Sequence, residues 1–323
     1  MSAVPKVSVC IPTYNTARYL PAAIESVLAQ TFQDYELVVC DNASTDQTPE
    51  LCRRYDDPRL RYVRYEELVN QGGNWNRCVS LARGEYIALL HADDQYLPRF
   101  LEHRLEVLDR NPEVGLAFGA VSLIDSEGGE TGQQIFRGEE CVTKAGDFYP
   151  ELLLGCVISP VSPVVRRKCY EAVGRFNEDR LWGIDWEMWL RLAARYGVAY
   201  SPAIDASYRI HGSSGSSTGL LAAKNGREDL AVLTEALRSI DERPELRRFS
   251  HLKRPARRKL GLRTLYAAGY NCELGNLSAV RQNLEAVVKT DWTLALRPTV
   301  WILFVSSLLG PGLYRRFRKV RPA

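Results

Sequence analysis

The stretch Gly84-Glu-Tyr-Ile-Ala-Leu-Leu-His-Ala-Asp-Asp-Gln-Tyr-Leu-Pro98 decides how the rest of the chain is read. Residues 86–90 form an uninterrupted apolar run, short enough to be a strand buried on both faces. The run leads straight into Asp93 and Asp94. In an open α/β sheet, ligands sit in the crevice beyond the carboxyl ends of the strands. Two acids delivered there suit Mg²⁺ or Mn²⁺ beside substrate phosphates. The competing reading is a polar strand end in which Asp93 or Asp94 caps a helix ahead of Leu97-Pro98. The neighbouring segments separate the two.

Upstream, apolar runs at 7–12 and 35–40 read as strands, and 60–65 as an alternating strand. Helical patterns at 17–30, 46–55 and 74–82 lie between them, with Ser44 and Thr45 as expected caps of the second. Strand and helix thus alternate up to the central run, which predicts a mostly parallel sheet with helices on both faces. Downstream, 98–110 reads as helix and 114–124 as strand. The region 132–165 is less regular, 185–196 is a strong helix, and 198–208 is a strand leading to His211. The run from Gly212 to Gly219 is small and polar, as in a linker or an active-site loop. Beyond it, helices are expected at 222–241, 246–272 and 277–289. The expected division is therefore 1–219 as an α/β domain and 220–323 as a helical region.

At 323 residues, with 46% hydrophobic and 25% charged side chains, the chain is an ordinary globular protein. A net charge of +3 gives no reason to expect a nucleic-acid partner. The eight cysteines have no paired spacing, and Cys10 and Cys40 fall inside expected strands, so reduced thiols are expected. Met1 to Lys6 lacks the apolar core of an export signal, so a cytoplasmic setting is expected. Near the other end, Thr299 to Leu309 is strongly apolar and is followed by a basic tail. Eleven residues are too few to span a bilayer, which takes roughly 20. Two readings of this segment stand side by side: a helix packed on its domain, or one lying in a membrane interface beside Trp292 and Trp301. A peripheral membrane contact and a homo-oligomer both fit this region.

Four constellations stand at strand ends or in loops. In Pro12-Thr-Tyr-Asn15, Tyr14 can stack on a base and Asn15 can hydrogen-bond it, unless the segment is only a turn. Asp41-Asn42 can accept from a base or ribose, or form an Asx turn. In Asn70-Gln-Gly-Gly-Asn-Trp-Asn-Arg77 the glycines allow close approach of backbone, and Arg77 can pair with phosphate. This is neither G-x-G-x-x-G nor a P-loop, which counts against dinucleotide oxidoreductases and P-loop hydrolases. In Asp185-Trp-Glu187 the two acids point in different directions on a helix. One should face a cleft, with its pKa open to tuning for general base work, while the other caps or pairs. His211 is a candidate metal or phosphate ligand, although a lone histidine is more often structural.

Taken in order, Val7-Ser-Val-Cys-Ile-Pro-Thr-Tyr-Asn15, Leu37-Val-Val-Cys-Asp-Asn-Ala-Ser-Thr-Asp46, Asn70-Gln-Gly72, Gly84-Glu-Tyr-Ile87, Ala92-Asp-Asp94 and Asp185-Trp-Glu-Met-Trp-Leu-Arg191 resemble the motifs of family-2 glycosyltransferases. The resemblance covers about residues 5–217. It implies the GT-A nucleotide-diphospho-sugar transferase fold and inverting, metal-assisted transfer from a UDP- or dTDP-sugar, with Mn²⁺ or Mg²⁺ as cofactor. It also implies a hexosyl or deoxyhexosyl group moved to a saccharide or lipid-linked saccharide acceptor, in cell-surface polysaccharide or glycolipid synthesis. By resemblance, Pro12, Tyr14 and Asn15 hold the base region, and Asp41 contacts uracil or ribose. Asn70, Gly72 and Arg77 line the nucleotide pocket. Asp93 and Asp94 bind donor and metal, Asp185 is the general base, and His211 approaches the metal or diphosphate. Where the family commonly has an acid two positions before Asp93, this chain has His91, and Asn42 stands where a second Asp is common.

Two rival classes are weighed against this. A sugar nucleotidyltransferase normally carries a glycine-rich basic loop after the first strand, and here that place is Pro12-Thr-Tyr-Asn-Thr-Ala-Arg18. A non-catalytic nucleotide-sugar-binding protein has no need of Asp93, Asp94 and Asp185 together.

Overall fold

The computed structural model describes residues 4–212 and 224–318, so residues 213–219 of the Gly/Ser run lie outside the described residues. The chain forms two compact units. One comprises residues 1–149, 157–179 and 184–210, and the other comprises 150–156, 180–183 and 211–323.

In the first unit, β1 (Val7–Thr13), α1 (Leu20–Leu28), β2 (Tyr35–Asn42), α2 (Thr48–Cys52), β3 (Leu60–Tyr65), α3 (Gln71–Leu81) and β4 (Tyr86–Leu89) alternate as the sequence predicts. Then come β5 (Gln95–Tyr96), α4 (Phe100–Arg110), β6 (Val114–Ile124), β7 (Glu130–Gln134), β8 (Cys141–Val142), α5 (Tyr149–Leu153, of which 150–153 belong to the second unit), β9 (Val164–Arg166), α6 (Arg167–Val173), α7 (Ile184–Ala193) and β10 (Gly197–Arg209). The sheet runs β3-β2-β1-β4-β9-β6-β10-β5, with β7 on β6 and β8 on β10. β1 to β4 pair in parallel, as do β6 and β10, while β9 is inserted antiparallel between β4 and β6. The result is a mixed, mostly parallel α/β sheet.

β1 shows why these strands are central. Val7, Val9 and Ile11 point to one face and pack with Leu20, Ile24 and Val27 of α1. On the other face Cys10 donates its thiol to the Cys78 carbonyl of α3. All eight cysteines are free of disulfides. Where β1 passes the start of β4, a Cβ on Gly84 would lie 2.6 Å from the Ser8 amide nitrogen, so only glycine fits there.

Local departures have local causes. The helix expected at 46–55 shrinks to α2, without a side-chain cap. The Ser44 hydroxyl accepts instead from the Asn15 amide, 2.9 Å away. Neither Asp93 nor Asp94 caps a helix: α4 begins after Arg99, and the two acids sit in the turn between β4 and β5.

The second unit is helical: α8 (Lys224–Glu242), α9 (Lys253–Glu273), α10 (Leu277–Thr290), α11 (Pro298–Leu309) and α12 (Gly312–Arg318), with 3-10 segments at Pro244–Leu252 and Trp292–Leu296. The helix expected at 246–272 thus divides into a 3-10 segment and α9. Leu265, Ala268, Val280, Leu284, Val287 and Leu303 share its core. Among the described residues, no helix is long and apolar enough to cross a membrane.

Candidate active site

The carboxyl ends of β1, β2, β4, β6 and β10 supply the polar residues of the first unit's site. His91, Asp93 and Asp94 follow β4, and one ligand atom from each lies within 4.8 Å of the others. Among the described residues this is the group of such side chains able to hold a metal ion. Asp94 is 1% exposed. One of its oxygens accepts from the Arg209 amide at 2.8 Å, and the other is buried with no hydrogen-bond partner. Burial, and next the Asp93 carboxylate, push the Asp94 carboxyl well above its usual range, with Arg209 opposing. A buried carboxylate oxygen without a donor is costly unless a cation meets it. Two carboxylates and an imidazole are a donor set that suits Mn²⁺, and Mg²⁺ through the oxygens.

His91 was noted in the sequence only as a departure from the resemblance. Its ring stacks on Trp75, with centroids 5.2 Å apart, and Trp75 packs edge-on to Phe176. Burial lowers the imidazole pKa, and the charges of Asp93 and Asp185 oppose that shift. His91 is therefore neutral near pH 7 and free to offer a ring nitrogen as a ligand. The charges of Asp93 and Asp185 both act on this one imidazole.

Asp185 stands in the first turn of α7. Burial raises its pKa, opposed by the Trp186 amide and by His91. Glu187 is engaged by Arg191 at 2.6 and 2.8 Å. The two acids thus differ: Glu187 pairs with Arg191, and Asp185 is subject to burial and to the charge of His91.

Arg209, which the sequence reading passed over, braces the acidic turn. Its amide serves Asp94, its Nε donates to the Asp93 carbonyl at 2.8 Å, and Nη1 donates to the Asp125 carbonyl at 2.7 Å. Its guanidinium lies 4.9 Å from the Tyr19 ring centroid. An arginine closing a long strand was the available signal, but nothing local ties it to residue 94.

The expected donor-binding residues divide into exposed and engaged. Tyr14 is 44% exposed at the end of β1, and Pro12 is half-buried. Asn15 adopts a left-handed φ of 52°, and its side-chain oxygen accepts from the Thr45 amide at 2.8 Å, tying two strand-end loops together. Asp41 has no exposed surface. Its oxygens accept from the Ser44 amide at 2.9 Å and the Tyr62 hydroxyl at 2.5 Å. Contact with a base or ribose would need one of these to move.

Asn70 caps α3 by accepting from Gly73 at 2.9 Å and donates to the Glu178 carbonyl. Gly72 is explained by packing: a Cβ there would lie 3.0 Å from the Asn177 carbonyl oxygen. Arg77 donates to the Asn42 side chain and the Glu67 carbonyl, each at 2.9 Å, and stacks on Tyr65. All three positions are thus engaged with neighbours inside the first unit. His211 begins the second unit's long C-terminal segment and is half-buried.

Comparison with known proteins follows the same lines. An uncharacterised glycosyltransferase of Methanocaldococcus jannaschii is 32% identical over 196 residues, 59% of this chain and 65% of that protein, a little under two thirds of its length. An uncharacterised protein of Mycobacterium tuberculosis is 30% identical over 231 residues, covering 68% of this chain and 72% of its own. Among solved structures, S. aureus TarS 1–349 in complex with UDP-GlcNAc matches with a TM-score of 0.68 at 17% identity, over 97% of this chain and 92% of that one. The mannosyltransferase PcManGT of Pyrobaculum calidifontis, in complex with GDP-Man and Mn²⁺, matches with a TM-score of 0.59 at 20% identity, over 98% and 83%. At such identities the two structures speak to the fold, which is that of GT-A enzymes. The family model for glycosyl transferase family 2 matches residues 8–171, half of the sequence, and the chain belongs to that family.

Proposed function

We propose that this protein transfers a sugar, with inversion, from a nucleoside-diphosphate sugar to an acceptor hydroxyl. The observation that carries the reading is the His91–Asp93–Asp94 group beyond the carboxyl end of β4, and the mutual charge effect of Asp185 and His91 supports adding Asp185 to it. Tyr14 and Pro12 offer the open surface for the base. Asn15, Asp41, Asn70, Gly72 and Arg77 build the wall and floor of that pocket.

A Mn²⁺ or Mg²⁺ ion held by Asp93 and Asp94 would offset the negative charge that develops on the leaving diphosphate. His91 is proposed as a further ligand on its geometry, and His211 on the family resemblance alone. Asp185 accepts the acceptor's proton as its oxygen attacks the anomeric carbon. Burial raises its pKa, which makes it a stronger base than an ordinary carboxylate. Glu187 and Arg191 hold α7 so that Asp185 stays aimed at the cleft, and positioning supplies much of the remaining rate.

UDP- and dTDP-sugars are the proposed donors, which agrees with the UDP-GlcNAc bound by TarS. The Mn²⁺ beside GDP-Man in PcManGT agrees with a metal-assisted reaction. The proposed acceptor is a saccharide, free or lipid-linked, in cell-surface polysaccharide or glycolipid synthesis. The proposed place of action is the cytoplasmic face of a membrane.

The test is Asp185→Asn. Donor should still bind, read by thermal shift with Mn²⁺, while transfer falls by about 10³-fold, within the range for loss of a general base. Near-normal turnover would remove Asp185 from the chemistry.

A further inference from the structure

We infer that the outer face of α11, with the 3-10 segment before it, docks on an anionic lipid bilayer at the level of the headgroups. The inference rests on the membrane-side placement proposed above and names the surface that achieves it. α11 carries two apolar stripes. Val300, Leu303 and Ser307 are buried in the second unit, while Trp301, Phe304 and Leu308 are 59%, 44% and 58% exposed. The outer three stand at i, i+3 and i+7 and so share one face. Trp292, Leu296 and Leu309, at 68%, 74% and 81% exposed, lie at the two ends of the same short segment. Large apolar side chains crowded into 18 consecutive positions, 292 to 309, are far from the scattered exposure of an ordinary surface.

Length rules out insertion across the bilayer. Twelve residues of helix span about 18 Å at 1.5 Å each, against a hydrocarbon core of about 30 Å. A helix of this length can lie in the interface, where tryptophan and arginine are at home.

Charge identifies the partner. From Trp292 to Arg318 there is no aspartate or glutamate, while Arg297, Arg315, Arg316 and Arg318 are all basic. Just before this stretch, Asp291 is offset by Arg258 of α9, whose Nη1 lies 3.5 Å from its carboxylate. An apolar face whose own segment carries arginines and no acid is drawn to an anionic surface. The same face repels a second copy of itself across a twofold axis, which disfavours self-association.

The experiment uses the whole chain with vesicles of phosphatidylcholine, with and without phosphatidylglycerol. The protein should sediment with the phosphatidylglycerol vesicles, less so as salt rises, and brominated lipid should quench its tryptophan emission. Trp292→Ser combined with Trp301→Ser should weaken partitioning at least ~10-fold, because binding scales with the apolar area inserted. Arg297→Gln and Arg316→Gln should each weaken it about fivefold and flatten the salt dependence. Both tryptophans are largely exposed, so the melting temperature should be unchanged. If the double variant misfolds, the arginine variants carry the test alone.

Equal binding to neutral and anionic vesicles, or variants that bind like the parent, would overturn the proposal. So would a dimer in sedimentation velocity that the tryptophan variants dissolve, with no vesicle binding. These readouts need no donor and no turnover. A failure here therefore leaves the transferase reading intact, and an inactive enzyme that still binds vesicles leaves this inference intact.

Discussion

Two buried carboxylates stand at opposite ends of one sheet, and their surroundings are opposite too. Glu36, near the start of β2, is 3% exposed. It accepts from the Ser8 hydroxyl at 2.6 Å, from the Arg83 amide at 2.8 Å and from the Arg83 guanidinium at 2.7 and 2.9 Å. Burial alone would raise its pKa, but the hydrogen bonds from Ser8 and Arg83 outweigh burial and hold it below the usual glutamate range. Asp94, past the end of β4, receives one donor on one oxygen, and its carboxyl is pushed upward. Both acids lie in the same kind of interior. One end of the sheet saturates its charge and uses it to stitch β1, β2 and the approach to β4 together. The other leaves an oxygen without a hydrogen bond, with His91 Nδ1 3.6 Å away. The first arrangement stabilises the fold, and the second keeps a buried carboxyl under-satisfied at a cost in stability.

That contrast can be broken most forcefully at Glu36. Glu36→Ala strands the Ser8 and Arg83 donors and should cost about 3 kcal/mol in chemical denaturation. Nucleotide-sugar affinity of the folded fraction should be unchanged, and a variant as stable as the parent would dissolve the contrast. Next in size, Asp94→Asn should lower Mn²⁺ affinity about 100-fold, or about 2.7 kcal/mol, by isothermal titration. It should leave the metal-free protein equally stable or stabilise it by up to ~1 kcal/mol, because an under-satisfied buried carboxyl is replaced by a neutral amide. A large loss of stability in the metal-free variant would mean that Asp94 is structural.

Smaller still is Ser8→Ala, which removes one donor to Glu36 and an acceptor for the Gly84 amide, and should cost about 1.5 kcal/mol. The pH profile sharpens the same point. A depressed acid lends stability that is complete above its unfolded pKa and is lost as pH falls through its folded pKa. The parent should therefore lose stability on acidification from about pH 4.3 downward, and Glu36→Gln should lose less. Parallel melting curves for the two proteins across that range would refute the Glu36 part of the contrast.

Much of this was legible in the sequence, and the boundary between legible and hidden follows contact distance. β1, β2 and β4 show as largely apolar runs because a strand covered on both faces has little room for polar residues, whereas the half-buried β3 alternates. The division of labour between Asp185 and Glu187 follows from 100° of helical rotation per residue. What escaped depends on partners far along the chain. Asp41 is enclosed by Tyr62, and Gly72 answers to the carbonyl of Asn177 rather than to a ligand. His91 reads as a missing acid until Trp75 is seen stacked on it. Ser44 looks like a helix cap because its local rival, the Asn15 amide, lies 29 positions away. Local patterns report the backbone's own demands, whereas cross-chain neighbours decide what a polar side chain is for.

The brace from Arg209 to the turn at Asp93 and Asp94 spans 116 and 115 positions. On the ribosome, the acidic turn emerges long before the strand that steadies it. A nascent chain halted before β10 would carry both carboxylates with no amide to orient Asp94 and no guanidinium to fix the Asp93 carbonyl. Competence to grip a donor is therefore acquired late in synthesis, and fragments released early should be inert rather than rogue enzymes.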